Sequence, residues 1–254
     1  MPKKSLKQQI KQARIEHKQG TSHETFHAIA GGTYIRDIVY GANDGIITTF
    51  AIIAGVAGAS LASKVVLILG FANLLADGLS MAIGNYLGIK SELEYAQRER
   101  AMEEWEIEHI PDLERKEIED IYKKKGFKGT DLKKAVDIIT SDKKVWADTM
   151  MVEELGLIPD NPISPAKHGL ATFISFSFAG LLPLLPYIFS RINPYRPFDI
   201  SVIATAVSLF TVGALRTFIT KKHWLISGLE MFAVGAIASF TAYFAGYFID
   251  QKFL

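Results

Sequence analysis

The sequence predicts an all-α membrane protein with five transmembrane helices and a three-helix cytoplasmic insert between the second and third spans. This prediction comes from how charge and hydrophobicity are distributed along the 254 residues. The chain is 49% hydrophobic and 22% charged, yet 19 of its 27 acidic residues lie between residues 90 and 167. Apolar and charged residues therefore occupy separate parts of the chain, which excludes a uniform globular fold.

The N-terminal segment, residues 1–36, is polar and basic. Its stretch SLKQQIKQARIEHKQ predicts a helix that ends before Gly20, a residue type common at helix C-termini. No apolar core follows the first lysines, so we expect no secretory signal peptide. We expect an amphipathic segment that does not cross the membrane.

Five apolar stretches follow, each about as long as the roughly 20 residues that a helix needs to cross the hydrocarbon core of a bilayer. They are residues 38–62, 65–89, 169–190, 198–220 and 224–249. A soluble core of five such helices would need polar elements to cover it, and the chain has one polar insert. We therefore assign residues 37–89 to transmembrane helices 1 and 2, and residues 168–254 to transmembrane helices 3 to 5.

Lysine and arginine residues predict the orientation, because they are enriched in cytoplasmic loops. With a cytoplasmic N-terminus, 24 of the 28 basic residues fall on the cytoplasmic side. The other four lie elsewhere: Lys64, Arg191, Arg196 and Lys252. We therefore expect the N-terminus and the insert in the cytoplasm, and the C-terminus on the far side of the membrane.

The insert, residues 90–167, is predicted to form three helices. The first continues from the second span and breaks at Pro111. The second is the stretch PDLERKEIEDIYKKK, which opens with a proline and an aspartate and carries lysines in its last turn. The third begins near Thr130, with a further N-cap at Ser141 or Asp142.

Ionisable residues inside the apolar stretches are the first candidates for function, because a carboxylate in a bilayer normally faces the bundle interior and marks an ion path or a proton relay. Asp44, Asp77 and Glu230 are such residues, and Asp37 lies near one end of the first stretch. The full set of candidate path residues is Asp37, Asn43, Asn73, Asp77, Asn85 and Glu230.

The second apolar stretch places Asn73, Asp77 and Met81 at positions i, i+4 and i+8, which share one helix face. An amide oxygen, a carboxylate and a thioether suit a borderline transition-metal ion better than Mg²⁺ or Ca²⁺, which prefer oxygen ligands. Packing is the ordinary explanation for a methionine alone, but the neighbouring carboxylate favours a functional face. In the first stretch, Gly41 and Gly45 have a spacing that allows another helix to approach closely.

The insert carries a second pattern of candidate ligands. Its helices hold glutamates three residues apart and two adjacent methionines: Glu103, Glu106, Glu114, Glu117, Met150, Met151 and Glu154. Residues three or four apart share a helix face, so each helix can present two or three ligands to one point between helices. A solvated surface is the ordinary explanation for any single glutamate. Adjacent methionines in an acidic helix favour a metal-binding domain instead.

Composition and motifs exclude several other functions. The chain has no cysteine, so it has no disulfide, thiolate metal site or iron–sulfur cluster. A net charge of +1 leaves no basic surplus for a nucleic acid. HETFH at residues 23–27 fits the HExxH pattern of zinc proteases, but it lies in a polar segment with no evident third ligand. We therefore expect no enzyme.

The chain also resembles a known family. The stretches RDIVYGANDGIITTFAIIAGVAGAS, DGLSMAIGNYLGIKSE, VWADTMMVEELGL and GLLPLLPYIF are similar to signature stretches of the vacuolar iron transporter family. The resemblance implies a homodimer with five spans per protomer and an ion path at the dimer interface. It implies exchange of cytoplasmic Fe²⁺, and often Mn²⁺, against protons. It also implies that Asp44 and Met81 are intramembrane ligands and that the seven insert residues bind metal.

Two positions depart from the family pattern. Where plant members have further glutamates along the path, this chain has Thr33 and Asn73, and we expect Asp77 to replace the carboxylate missing at Asn73. The identity of the ion stays open, with Fe²⁺ as the expected substrate and Mn²⁺, Co²⁺ or Zn²⁺ as further ions for the insert.

The sequence leaves two functions open. The first is a transporter that moves Fe²⁺ out of the cytoplasm by proton antiport. The second is a metal-binding membrane sensor or store that transports nothing. The membrane is also open, because both a prokaryotic cell membrane and a vacuolar membrane fit the sequence.

Overall fold

The computed structural model describes residues 34–158, 163–189, 196–220 and 222–253, and five positions among the first 15. Within this part of the chain it contains helices and no strand. The helices are α1 (Ile35–Gly58), α2 (Ser63–His109), α3 (Pro111–Lys124), α4 (Gly129–Ile139), α5 (Lys143–Glu153), α6 (Pro165–Ile188), α7 (Pro197–Leu215), α8 (Thr217–Thr220) and α9 (Trp224–Phe253). Most of the predicted N-terminal helix, the HETFH motif and Thr33 lie outside the described residues.

Five of the helices are long and apolar enough to cross a membrane: α1, α2, α6, α7 and α9. The prediction of five spans is therefore confirmed for the described residues. Helix α2 has 47 residues and continues without a break from the second apolar stretch into the insert. Helices α6 and α7 both begin with a proline, which is tolerated in a first turn because its missing N–H would have no helical partner there.

The chain divides into two compact units. The membrane unit comprises Met1–Asn85 and Ala166–Leu254, and the insert unit comprises Tyr86–Pro165. The first part of α2 belongs to the membrane unit and its remainder to the insert unit.

In the membrane unit, small residues let helices pack with their backbones in contact. A Cβ atom added at Gly45 of α1 would lie 2.3 Å from the backbone oxygen of Phe176 in α6. A Cβ atom added at Gly246 of α9 would lie 2.2 Å from the backbone oxygen of Gly55 in α1. Both distances are far below van der Waals contact, so the glycines permit the approach. The close packing predicted for the pair Gly41 and Gly45 is confirmed.

An apolar cluster joins α1, α2 and α6. It contains Phe50, Ile53, Ala54, Val56, Val66, Leu74, Phe176, Leu184 and Tyr187, and Met81 packs against it. This packing holds α1 and α2 against α6. It thereby also sets the positions of the polar residues on the same helices.

The insert unit has its own apolar core, which includes Ile107, Ile118, Val136, Trp146 and Met150. The residues described here form four helical segments, counting the end of α2, rather than the predicted three. The predicted third helix is divided into α4 and α5.

The break between α4 and α5 has a local cause at Asp142, the residue before α5. Its Oδ1 accepts hydrogen bonds from the backbone nitrogens of Lys144 and Val145, at 2.8 and 3.0 Å. A side chain that satisfies the free N–H groups of a first turn starts a new helix. The further N-cap expected at Ser141 or Asp142 therefore falls on Asp142.

Candidate functional site

Three carboxylates converge in the insert unit. Oxygen atoms of Glu103 and Glu106 of α2 and of Glu114 of α3 lie within 4.8 Å of one another. The spacing of three puts the first two on one face of α2. The chain then breaks before Pro111, where α3 begins, so the first turn of α3 returns Glu114 to the same place.

Two of these carboxylates are buried, and within the described residues each has one oxygen without a hydrogen-bond partner. Glu103 is 5% exposed and Glu114 is 3% exposed. The Oε2 atom of each has no hydrogen-bond partner among the described residues. A buried carboxylate normally has a hydrogen bond or an opposite charge, because leaving it unpaired is costly. The two residues are therefore arranged for a bound cation or for added protons.

Burial, followed by repulsion from neighbouring carboxylates, raises the pKa values of these groups, which lie beyond the apolar part of α2. Burial, and then repulsion from Glu154, Glu114, Glu106 and Glu117, raises the pKa of Glu103 to about 7. Burial, and then repulsion from Glu117, Glu106 and Glu154, raises the pKa of Glu114 to about 7. Near neutral pH the site therefore passes between protonated and ionised forms, and a divalent cation would favour the ionised form.

Two exposed glutamates complete the group. Although Glu154 as a whole residue is exposed, partial burial of its carboxylate, followed by repulsion from Glu117, also raises the pKa of Glu154. The structure thus brings together all five glutamates singled out in the insert. We call Glu103, Glu106, Glu114, Glu117 and Glu154 the glutamate cluster.

The two methionines of α5 are interior residues of the same unit. Met150 is 0% exposed and Met151 is 1% exposed. Met150 belongs to the apolar core of the insert, so packing accounts for its burial. Met151 precedes Glu154 by three residues, so the two share a side of the helix end. A ligand role for either sulfur stays a prediction.

In the membrane unit, polar residues of α1 face polar residues of α2. Asn85 Nδ2 donates to Asp37 Oδ1 over 2.9 Å, and Asn73 Nδ2 donates to Thr48 Oγ1 over 3.4 Å. Between these two pairs, the carboxylates of Asp44 and Asp77 lie close enough for their charges to repel each other. We call this set the polar row; its members are Asp37, Asp44, Thr48, Asn73, Asp77 and Asn85.

The remaining candidates lie in different surroundings. Met81 is half-buried and packs against the apolar cluster, as an ordinary core methionine would. Glu230 is exposed and forms an ion pair with Arg216. Asn43 shares a groove of about 390 Å³ with this ion pair and with Arg36. Arg36 links this groove to the polar row, because its Nε lies 3.7 Å from Asp37 Oδ1.

Sequence reasoning missed one buried titratable residue, His168 in the first turn of α6. Its Nδ1 lies 2.5 Å from Asp37 Oδ2, and the two side chains are 8% and 2% exposed. His168 is the position immediately before the third apolar stretch. The signal available in the sequence for this pair was a histidine at the edge of one predicted span and an aspartate at the edge of another.

Comparison with known proteins relates this chain to a family. The model of the VIT family matches residues 35–247. A vacuolar iron transporter of Centaurea cyanus is 37% identical over 221 residues, covering 87% of this chain and 89% of that protein. Vacuolar iron transporter 1 of Arabidopsis thaliana is 32% identical over 243 residues, covering 94% of this chain and 96% of that protein. A vacuolar iron transporter of Toxoplasma gondii is 43% identical over 169 residues, 65% of this chain, and the match spans 56% of that longer protein.

Proposed function

This chain belongs to the vacuolar iron transporter (VIT) family and is a multi-pass membrane protein of metal-ion transport, and from this premise we propose that it moves Fe²⁺ out of the cytoplasm in exchange for protons. In this proposal the insert is cytoplasmic and collects the ion, and the polar row carries it across the bilayer. The names of the relatives favour a vacuolar membrane over a prokaryotic cell membrane.

The observation that carries the proposal is the glutamate cluster. Two buried carboxylates, each with one oxygen that has no hydrogen-bond partner among the described residues, lie beside three more glutamates and form a strongly negative, partly desolvated site. A divalent cation would neutralise the repulsion and supply the missing partner. We propose the cluster as the capture site for Fe²⁺, with Mn²⁺, Co²⁺ or Zn²⁺ as competing ions. Met150 and Met151 would contribute the softer ligands.

The polar row supports a path through the bilayer. Asp44 and Asp77 hold two carboxylates together within apolar helices, and such residues are costly unless they serve an ion or a proton. We propose that Asp44 and Met81 bind the ion within the membrane. Protonation of Asp44 or Asp77 from the far side would then weaken coordination and release it, because carboxylate ligands must be deprotonated to bind.

The same row supports a homodimer. Asp44 and Asp77 are only half-buried in a single chain, so part of the row is uncovered at the level of the bilayer. Polar groups facing lipid are unfavourable, whereas a second copy of the chain would cover them and enclose a path. We propose that the ion path lies between the two protomers.

Transport into proteoliposomes tests the function. Purified protein is reconstituted with an Fe²⁺-sensitive dye inside, and uptake is measured with and without an inside-acidic pH gradient. We expect uptake that the gradient accelerates and that Asp44→Ala abolishes. Asp199→Ala is the matched control, because Asp199 is an exposed acid in the first turn of α7. No uptake, or uptake indifferent to the gradient, contradicts the proposal.

A sensor or store without transport is the second candidate, and the glutamate cluster alone would suffice for it. Replacing the cluster glutamates by glutamine separates the two functions. In a transporter this variant slows uptake at low Fe²⁺ but leaves uptake at high Fe²⁺. A sensor shows metal binding that the variant removes, with no uptake in either protein.

A further inference from the structure

Asp37 and His168 form a buried pair that joins α1 to α6 in the membrane unit. The distance from His168 Nδ1 to Asp37 Oδ2 is 2.5 Å. Both side chains are more than nine-tenths buried. An acid and a base held this close, away from water, can share or exchange a proton at little cost in net charge.

The neighbours that hydrogen-bond to Asp37 come from α2 and α6. From α2, Asn85 Nδ2 donates to Asp37 Oδ1 over 2.9 Å and lies 2.8 Å from Thr172 Oγ1. From α6, Ser175 Oγ donates to the backbone oxygen of Asp37 over 3.3 Å. These contacts leave Oδ2 of the carboxylate for the histidine.

One charged group and one further titratable group face the pair within the described part of the chain. Arg36 Nε lies 3.7 Å from Asp37 Oδ1, and this arginine is largely exposed. The ring of Tyr34 lies 4.7 Å from the ring of His168, centroid to centroid. The pair is therefore connected to the surface through Arg36.

The carboxylate determines which ring nitrogen can react. An ionised carboxylate only accepts hydrogen bonds, so Nδ1 of a neutral His168 must carry the hydrogen that it donates to Asp37. The lone pair then lies on Nε2. That atom is buried and has no hydrogen-bond partner among the described residues. Nε2 is thus a basic nitrogen with an open position for one proton.

The pair lies at the end of the polar row. Asp37 and Asp44 are seven residues apart on α1, which places them on one face and about 10 Å apart along the axis. Asn85, which holds Asp37, is likewise two turns from Asp77 on α2. A proton on the pair would therefore lie on the same side of α1 as the proposed ion ligand Asp44.

We propose that His168 is a proton-carrying residue of the exchange and that Asp37 positions it. In one step Nε2 of the neutral ring takes up one proton from water, while Nδ1 keeps its hydrogen bond to Asp37. The imidazolium charge is then balanced by the carboxylate. In the reverse step Nε2 gives the proton back to water and the neutral ring is restored. This inference rests on the proposed Fe²⁺/proton exchange.

A pair that merely ties α1 to α6 would make a different prediction. Glutamine at position 168 can still donate a hydrogen bond to Asp37, but it cannot carry a proton near neutral pH. A structural tie would therefore leave the response to a pH gradient unchanged in His168→Gln. A proton carrier would lose that response.

Proteoliposome uptake separates the two roles. His168→Gln is compared with His223→Gln, whose target is an exposed histidine immediately before α9. We expect His168→Gln to retain Fe²⁺ uptake down the Fe²⁺ gradient, with KM changed by less than about threefold, but to lose most of its acceleration by a pH gradient. His223→Gln keeps that acceleration. Full acceleration in a folded His168→Gln variant overturns the inference. If the unmodified protein shows no gradient-driven uptake, the proposed function itself fails.

A second measurement decides the matter if His168→Gln does not fold. The other five histidines are replaced by glutamine, the remaining ring is labelled with ¹⁵N, and its NMR signals are followed from pH 5 to pH 9 in lipid nanodiscs. Histidine ordinarily changes charge within this interval. We expect two forms of the ring, one protonated on Nδ1 alone and one protonated on both nitrogens. A ring that never gains the second proton overturns the inference.

Discussion

Asn85 Nδ2 donates a hydrogen bond to Asp37 Oδ1 over 2.9 Å, and this contact fixes how α2 faces α1. The two helices run antiparallel, so positions deeper in α1 meet positions closer to the start of α2. Asp44 consequently faces Asp77. The register of one amide–carboxylate pair thus brings two carboxylates together within the apolar helices.

The close packing of α1 against α6 gives a stability prediction. In Gly45→Ala the new Cβ lies 2.3 Å from the backbone oxygen of Phe176, so the helices must separate. We expect a loss of about 1–3 kcal/mol in the free energy of unfolding. Thermal unfolding of the full chain in detergent measures the change.

Gly55→Ala is the matched control on the same helix, because its Cβ meets its nearest atom, the backbone oxygen of Ala242, at 3.7 Å. We expect this variant to unfold at nearly the same temperature as the unmodified protein. Equal melting temperatures for the two alanine variants would contradict the packing argument.

The glutamate cluster predicts a loss of metal affinity in Glu103→Gln. The change removes a buried charged ligand but keeps the size of the side chain. We expect the Kd for Mn²⁺, an air-stable probe, to rise at least about tenfold, equivalent to about 1.4 kcal/mol. Calorimetry on the full chain measures it. Glu92→Gln alters an exposed glutamate of the same helix and should bind Mn²⁺ as the unmodified protein does.

Much of this arrangement could be predicted from the sequence, because periodicity reports which residues share a helix face. The spacing of Glu103 and Glu106, and the break before Pro111, were enough to expect a convergence of carboxylates. The apolar length of each stretch was enough to expect five spans. Both properties are local in sequence, so neither requires knowledge of tertiary contacts.

Contacts between distant positions could not be predicted in this way. Asp37 and His168 are 131 residues apart, and no local pattern pairs them. The break between α4 and α5 depended on whether the Asp142 side chain would accept two backbone hydrogen bonds. Such a cap competes with continuing the helix. The surroundings of Glu230 depended on Arg216, which lies in the turn between α7 and α8, 14 residues earlier in the chain.

The raised pKa values of Glu103 and Glu114 predict that metal binding depends on pH. Both values are about 7, so these carboxyls are largely ionised at pH 8 and largely protonated at pH 6. A protonated carboxyl coordinates a cation poorly. We expect the affinity for Mn²⁺ to fall steadily from pH 8 to pH 6, as measured by calorimetry. An affinity that is constant over this interval would show that neither group binds the ion.

The same shifts predict how stability changes with pH when no metal is present. In the unfolded chain these carboxyls ionise near pH 4.5, whereas in the folded insert they ionise near pH 7. Between those values the folded state binds more protons than the unfolded state. The free energy of unfolding therefore falls as the pH rises through this window.

We expect the insert to be less stable at pH 8 than at pH 5 by about 1–3 kcal/mol, and Mn²⁺ to restore stability at pH 8. Trp146 is buried in the core of the insert, so its fluorescence reports on this unit. Replacing Trp105 and Trp224 by phenylalanine isolates that signal. A melting temperature that rises from pH 5 to pH 8 without metal would contradict the assignment of buried, mutually repelling carboxyls.

The position of Asp77, one turn from Asn73 on α2, gives a prediction about the path itself. Asp77→Asn removes one of the two facing carboxylates, and we expect Fe²⁺ uptake by proteoliposomes to fall at least about tenfold. The double variant Asn73→Glu with Asp77→Asn returns a carboxylate one turn away on the same face. If the path needs a second carboxylate on this face of α2, uptake recovers in the double variant. Normal uptake in Asp77→Asn would mean that Asp77 does not replace a carboxylate at position 73. The same conclusion follows if uptake is as low in the double variant as in the single variant.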